Sequence, residues 1–164
     1  MLNACSMKRP NLLISAAWLL YAVAWFLPVI KDGVTFPNGL PGWQAFRVAA
    51  GAVWPYGVEF NKWYDAILST ISAVTTPLFI LGSVWAVSRG TRVWRRVFAW
   101  VATLAFLVNA YWFVFFGADR KDLRIGYFLW WLSFLVVALG FFKLSRQTTD
   151  NTSVPSTKLQ VGSF

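Results

Sequence analysis

Few residues in this chain could do chemistry, and most of them stand outside its apolar runs. There is no histidine and only one cysteine, which excludes an intramolecular disulfide, a CxxC redox pair and a histidine-ligated haem. Zinc and non-haem iron sites lack their usual ligands, and a Ser–His pair is impossible. Asp119 and Asp122 could pair for acid–base or cation chemistry, but the basic residues among them favour a solvated turn. The sequence therefore predicts no catalytic residue, no cofactor and no metal.

Two residues inside the apolar runs could still have a special role. Asn109 is the only amide deep in such a run; it could bind a ligand, but a buried amide more often bonds across helices. Pro77 frees a carbonyl group one turn back, and Thr75 or Thr76 could respond to the resulting kink. Transporters coupled to ions or protons place charged residues inside the membrane. The interiors of the apolar runs hold none, since Arg95, Arg96 and Lys143 stand at their ends. This argues against that class.

The composition indicates a membrane protein. Hydrophobic residues make up 58% of the 164 residues, and charged residues only 13%; a soluble domain of this size could not hide so much apolar surface. Four runs are long enough to span a bilayer as helices. The sequence predicts an all-α integral membrane protein, a four-transmembrane-helix bundle whose long outer loop contains a short interfacial helix. Its parts are an N-terminus at 1–10, a bundle at 11–143 with spans at about 11–30, 66–88, 93–116 and 125–143, an outer loop at 31–65 and a flexible tail at 144–164.

Lysine and arginine positions predict the orientation of the spans. With both termini inside, nine basic residues and one acidic residue lie on the inner side, against six basic and five acidic residues outside. The short connection SRGTRVWRR, which carries four arginines, decides the assignment. We therefore expect a multi-pass inner-membrane protein with cytoplasmic N and C termini. Anionic lipid headgroups and insertion topology explain the net charge of +9 more simply than nucleic acid does.

The outer loop is rich in aromatic residues. Pro41 can start a helix, and Trp43, Phe46, Ala50 and Val53 repeat at helical spacing to form one apolar face. We expect a short helix over residues 43–53 at the outer interface, acting as a structural lid, a binding site or both. The candidate partner surface consists of aromatic residues and one arginine: Trp43, Phe46, Arg47, Trp54, Tyr56, Trp63 and Tyr64.

Small and polar residues are expected to hold the spans together, because lipid is as apolar as leucine. On the second span they gather on one face, opposite an aliphatic face expected to meet lipid. On the fourth span they recur every seven residues, which suits left-handed packing. Ser15 and Ala22 start a comparable face on the first span. The candidate helix-packing residues are Ser69, Ser72, Thr76, Ser83, Asn109, Gly126, Ser133 and Gly140.

The function expected from these observations is non-enzymatic: the binding of another membrane component, as an accessory subunit or an immunity-type protein. The expected partners are membrane lipids, another membrane protein or a second copy of the chain. The alternative is a carrier or channel subunit for a small solute or lipid. A membrane enzyme of unknown reaction comes third.

Overall fold

The chain forms five helices and two short strands in its described part. The computed structural model describes residues 8–31, 38–52, 63–115 and 121–150, without the side chains of residues 8–10, 52, 65, 115 and 148–150. In chain order the elements are α1 (Lys8–Phe26), β1 (Pro28–Ile30), β2 (Leu40–Pro41), α2 (Gly42–Ala49) with a 3₁₀ turn (Ala50–Ala52), α3 (Trp63–Ser88), α4 (Arg92–Phe115) and α5 (Ile125–Asp150).

Three of these helices are long and apolar enough to cross a membrane, over Ala66–Ser88, Arg92–Val114 and Ile125–Gln147. They correspond to the second, third and fourth predicted spans. The first predicted span was wrong at its end, because α1 stops at Phe26 instead of residue 30. Pro28 has no N–H to donate and disfavours helical backbone in the residue before it. The apolar part of α1, Asn11–Phe26, is therefore shorter than the other three.

The four long helices alternate in direction and pack in the order α3, α4, α5, α1. We call the end that carries β1, β2 and α2 the cap end, and the end with the connection between α3 and α4 the turn end. Between α1 and α3 there is little close backbone approach. Halfway along, this gap is closed by side chains, since the rings of Tyr21 and Phe79 stack 4.4 Å apart.

Helix α5 packs on α1 and on the segment that follows it, and small residues recur along its buried side. Gly126, Ser133 and Gly140 are all buried, and a methyl group at Gly140 would lie 2.9 Å from the Ile14 side chain. The face of α1 that meets α5 was predicted wrongly. Ser15 and Ala22 are exposed; the buried residues of α1 are Ile14, Ala17, Tyr21 and Ala24.

Helix α3 divides into a buried polar face and an exposed apolar face, as its sequence indicated. Ser69, Ser72, Thr76 and Ser83 are buried. The opposite face exposes Ile67, Ile71, Val74, Leu78, Leu81 and Trp85. These side chains form an apolar exterior on the described part of the protein, of the kind that lipid would solvate.

A small β structure closes the cap end, and an all-α prediction missed it. Strand β1 pairs antiparallel with β2 on one side and forms a bridge from Ile30 to Leu123 on the other. The amide of Lys31 donates to the Asp122 carbonyl at 2.7 Å, and the amide of Arg124 donates to the Val29 carbonyl at 2.8 Å. These bonds join the end of α1 to the start of α5.

Two further boundaries differ from the prediction. A short helix at the position expected for 43–53 is present as α2 from Gly42 and the following 3₁₀ turn, which ends at Ala52. Helix α5 continues to Asp150 instead of ending at residue 143. Ser145 is buried and Leu144 packs on the core, so the tail begins later than residue 144. The remainder of the predicted tail, from residue 151, lies outside the described residues.

Candidate functional site

A cavity of about 520 Å³ occupies the gap between α1 and α3 at the cap end. Its volume falls within the roughly 300–1,000 Å³ of small-molecule sites. Helix α2 covers it and contacts both α1 and α3. Gly42 allows this cover to lie close, because a methyl group there would collide with the Ala24 carbonyl and lie 2.9 Å from the Trp25 Cα atom. The cavity is thus built by elements from separate parts of the chain.

Most of the cavity wall is apolar and aromatic. Trp25 comes from α1 and Phe46 from α2, and their rings are 5.8 Å apart. Helix α4 contributes Trp112, and α5 contributes Tyr127 and Trp130. None of the described residues that line the cavity is charged. The lining would therefore accept an apolar body and penalise an unpaired charge.

One side of the cavity carries a row of hydroxyl groups. Ser69, Ser72 and Thr76 lie on one face of α3 and line the cavity. The seven-residue separation from Ser69 to Thr76 corresponds to roughly 10 Å along the helix axis. Within the described part of the chain, none of these three hydroxyls donates to the carbonyl one turn back.

The other hydroxyls of α3 behave differently. Thr70 donates to the Ala66 carbonyl at 2.8 Å and Thr75 donates to the Ser72 carbonyl at 2.6 Å. Ser83 and Ser88 also donate to carbonyl groups of their own helix. Such back-bonding is the usual arrangement of Ser and Thr inside helices. The uncommitted hydroxyls of α3 are thus the ones that face the cavity.

Two more polar atoms near the cavity lack partners among the described residues. The hydroxyl of Tyr21 is buried and unpaired; Thr76 and Trp25, which line the cavity, are its polar neighbours, but without hydrogen-bond geometry. The Oδ1 atom of Asn109 is also buried and unpaired. Leaving such groups unsatisfied costs about 1–3 kcal/mol each. The cap end therefore contains polar capacity that the described protein residues do not use.

Asn109 also connects α4 to its neighbours. Its Nδ2 donates to the Ala105 carbonyl at 2.8 Å within α4 and to the Thr75 hydroxyl of α3 at 3.4 Å. The Tyr127 hydroxyl of α5 donates to the main-chain carbonyl of Asn109 at 2.6 Å. Trp112 donates from Nε1 to the Ser72 hydroxyl at 2.9 Å. This network joins three helices directly beside the cavity.

An aromatic contact between α4 and α5 holds the far wall in place. The rings of Phe106 and Trp131 stack 4.6 Å apart, and the Trp131 Nε1 donates to the Phe106 carbonyl at 2.7 Å. Trp131 also lies 6.1 Å from Tyr127. The stacked rings and this hydrogen bond hold α5 against α4. The position of α5 in turn fixes where Tyr127 and Trp130 lie in the cavity wall.

The predicted partner surface divides between the cavity and the exterior. Phe46 and Tyr64 line the cavity, whereas Arg47 is exposed. Trp43 and Trp63 are also exposed, Trp63 to 76%. Trp54 and Tyr56 lie outside the described residues, as does Val53. The structure therefore brings together only part of the set, around the cover of the cavity.

The sequence reasoning missed Tyr21, Trp25, Trp112 and Tyr127 as site residues. One signal was available, because Asn109 and Trp112 are three residues apart and share a face of α4. The positions of Tyr21, Trp25 and Tyr127 relative to the site depend on how the helices pack together, which their spacing in the sequence does not indicate.

The arrangement can hold an uncharged molecule with an apolar body and polar oxygen atoms. Within the described residues, no three His, Cys, Asp or Glu side chains come together as metal ligands. Comparisons of the chain with protein families, with curated proteins and with solved structures found no match.

Proposed function

We propose that this chain is a non-enzymatic integral membrane protein of four spans that acts by binding another membrane component at its cap end. One observation carries the proposal: the cap end contains a cavity of about 520 Å³ beneath α2. Further along the bundle, Ala17, Ala99, Ala102 and Val137 are buried almost completely. A gap that lies between four helices and is covered by a separate helix suits a binding site better than a packing defect does.

The dimensions and the surface of α1 support a fourth span. The nineteen residues of α1 make a helix of about 28 Å, and its apolar part, Asn11–Phe26, supplies about 24 Å of the roughly 30 Å of a bilayer core. Leu12, Leu19 and Phe26 are exposed along it, Phe26 to 82%. In water these side chains would be costly to leave uncovered. Lipid contact along α1 removes that cost.

The orientation is the one expected from the charges, with the turn end in the cytoplasm of an inner membrane. Arg89, Arg92 and Arg96 are exposed at the turn end. A reporter active only in the periplasm should be inactive when fused after Arg146 and active when fused at Gly57. The reverse pattern would overturn the orientation and, with it, the assignment of the cavity to the outer side.

The alternative is a carrier or channel subunit for a small solute or lipid. The uncommitted hydroxyl row on α3 supports it, since a polar track is what a permeating molecule would need. Against it, the Tyr21–Phe79 stack closes the gap between α1 and α3 halfway along the bundle. Binding without passage is therefore the preferred function.

Site-specific photocrosslinking in native membranes tests the binding function. A benzophenone amino acid at Trp43 or Trp63 samples the exposed cap surface, and one at Phe46 samples the cavity cover. The matched control is Val93, which is exposed to 69% at the turn end. We expect defined adducts, to a protein or a lipid, from the cap positions and only the random labelling of bulk lipid from the control. Equal labelling at both ends would refute a dedicated binding end.

A further inference from the structure

The hydroxyl row of α3 identifies the kind of molecule that the cavity would hold. This inference rests on the proposed function and gives its binding site a ligand class. Within the described part of the chain, the hydroxyls of Ser69, Ser72 and Thr76 donate no hydrogen bond, so each still offers a donor. Ser72 already accepts one hydrogen bond, from Trp112. A hydroxyl can donate one hydrogen bond and accept two. The row therefore favours a ligand with oxygen acceptors.

The Tyr21 hydroxyl lies behind the deep end of the row, next to Thr76. Tyr21 is only 3% exposed, and its hydroxyl has no hydrogen-bond partner among the described residues. Its polar neighbours, Thr76 and Trp25, both line the cavity. Tyr21 itself does not line the cavity, so a ligand oxygen at the level of Thr76 would pair with Thr76, and Tyr21 lies behind it.

Water alone does not suit the space. A buried water needs two to four polar partners, and apolar cavities stay dry. The wall opposite the hydroxyl row consists of Ala24 and Trp25, with Phe46, Val48 and Ala49 above. An occupant that satisfies both sides needs an apolar body as well as oxygen atoms.

The occupant should also be uncharged. The described lining residues include no lysine, arginine, aspartate or glutamate. Burying an ionised group without a partner would be far more costly than burying a hydroxyl or a carbonyl. Lys31 and Arg47 are exposed and absent from the lining. A phosphate or carboxylate group would therefore be excluded from the interior.

We propose that the cavity between α1 and α3 binds an uncharged lipid whose polar end carries carbonyl or hydroxyl oxygens, held by Ser69, Ser72 and Thr76. A monoacylglycerol and a quinone ring with its tail share this chemistry. The aromatic rings of Trp25, Trp112 and Trp130 would contact either one. The experiment therefore tests a monoacylglycerol and a quinone separately.

Tryptophan quenching in nanodiscs tests the ligand class. The probes are a monoacylglycerol brominated in mid-chain, a brominated alkane of the same chain length, a brominated fatty acid held ionised, and a short-tailed quinone. Exposed tryptophans will be quenched in proportion to any probe, so the measured quantity is the saturable component at low probe content. We expect saturation with the monoacylglycerol, the quinone or both, and none with the alkane or the ionised acid.

Paired variants test the residues. Ser69→Ala with Thr76→Val should weaken saturable binding by about tenfold or more, as expected for two lost hydrogen bonds. Thr70→Val with Ser88→Ala is the matched control, because these hydroxyls bond to their own helix and lie outside the lining. It should change binding less than about twofold. Thermal unfolding of each variant verifies that it is folded.

The wild-type comparison keeps the test decisive if a variant fails to fold. Saturable binding of the alkane equal to that of the oxygen-bearing probes would overturn the ligand class. Absence of saturation with all four probes would do the same, as would unchanged affinity in the folded Ser69→Ala, Thr76→Val protein. If any of these results accompanied defined protein crosslinks from Trp43 or Trp63, the ligand class would fail while the proposed function stood.

Discussion

Replacing Gly126 by alanine should destabilise the cap end more than its size suggests. The added methyl group would lie 2.7 Å from the Pro28 carbonyl oxygen and 2.8 Å from the Leu27 carbonyl oxygen. Ordinary contacts begin near 3.4 Å, so the backbone would have to move by roughly 0.7 Å, and backbone cannot rotate away as a side chain can. That movement would strain the hydrogen bonds from Lys31 and Arg124 that tie β1 to the start of α5.

The expected loss is about 1–3 kcal/mol of unfolding free energy, the range for overpacking a close contact. Alanine gains up to about 1 kcal/mol over glycine inside a helix, but Gly126 is the second residue of α5, where this gain is smaller. The matched control is Gly140→Ala, whose methyl group would meet one side-chain atom, Cγ1 of Ile14, at 2.9 Å and no backbone atom closer than 3.4 Å. There the helix preference offsets more of the cost, so we expect a loss below about 1 kcal/mol.

Unfolding in mixed detergent micelles, followed by tryptophan fluorescence, measures both variants. The reasoning requires Gly126→Ala to unfold at a lower denaturing-detergent fraction than Gly140→Ala. It also requires saturable quenching at the cavity to weaken in Gly126→Ala, because β1 helps to line it. If Gly126→Ala were as stable as the wild type, the close approach of β1 to α5 would be refuted.

The remaining predictions use the same unfolding assay. Ser72→Leu should destabilise strongly, because Ser72 is buried and receives the Trp112 hydrogen bond, whereas Ile71→Leu on the exposed face should change little; equal effects would contradict the assignment of the buried face. Tyr127→Phe should cost about 0.5–1.5 kcal/mol by removing the 2.6 Å bond to the Asn109 carbonyl, and a neutral result would show that this bond does not form. Asn109→Leu should cost more than Tyr127→Phe, since it removes two bonds and leaves the Thr75 hydroxyl without its α4 partner; the reverse ranking would argue against the network.

Helix α3 shows how much could be predicted from the sequence. One of its sides meets other helices and the other meets an apolar exterior, so its small polar residues and large aliphatic residues separate with helical period. The buried positions of Ser69, Ser72, Thr76 and Ser83 could be read in this way. Helix α1 carries no such signal, because it is apolar on all sides. Its packing face was therefore assigned to Ser15 and Ala22, which are exposed.

By itself, the sequence determined the helical class, the three long spans and the faces of α3 and α5, because these follow from local composition and spacing. Tertiary structure alone decided the pairing of β1 with β2 and its bridge to Leu123, since contacts between distant backbone segments leave no periodic pattern. It also decided that α1 and α3 stand apart at one end, with Gly42 placing α2 over the gap. The cavity exists because of that separation, and its hydroxyls are available because α1 does not pack closely against this part of α3.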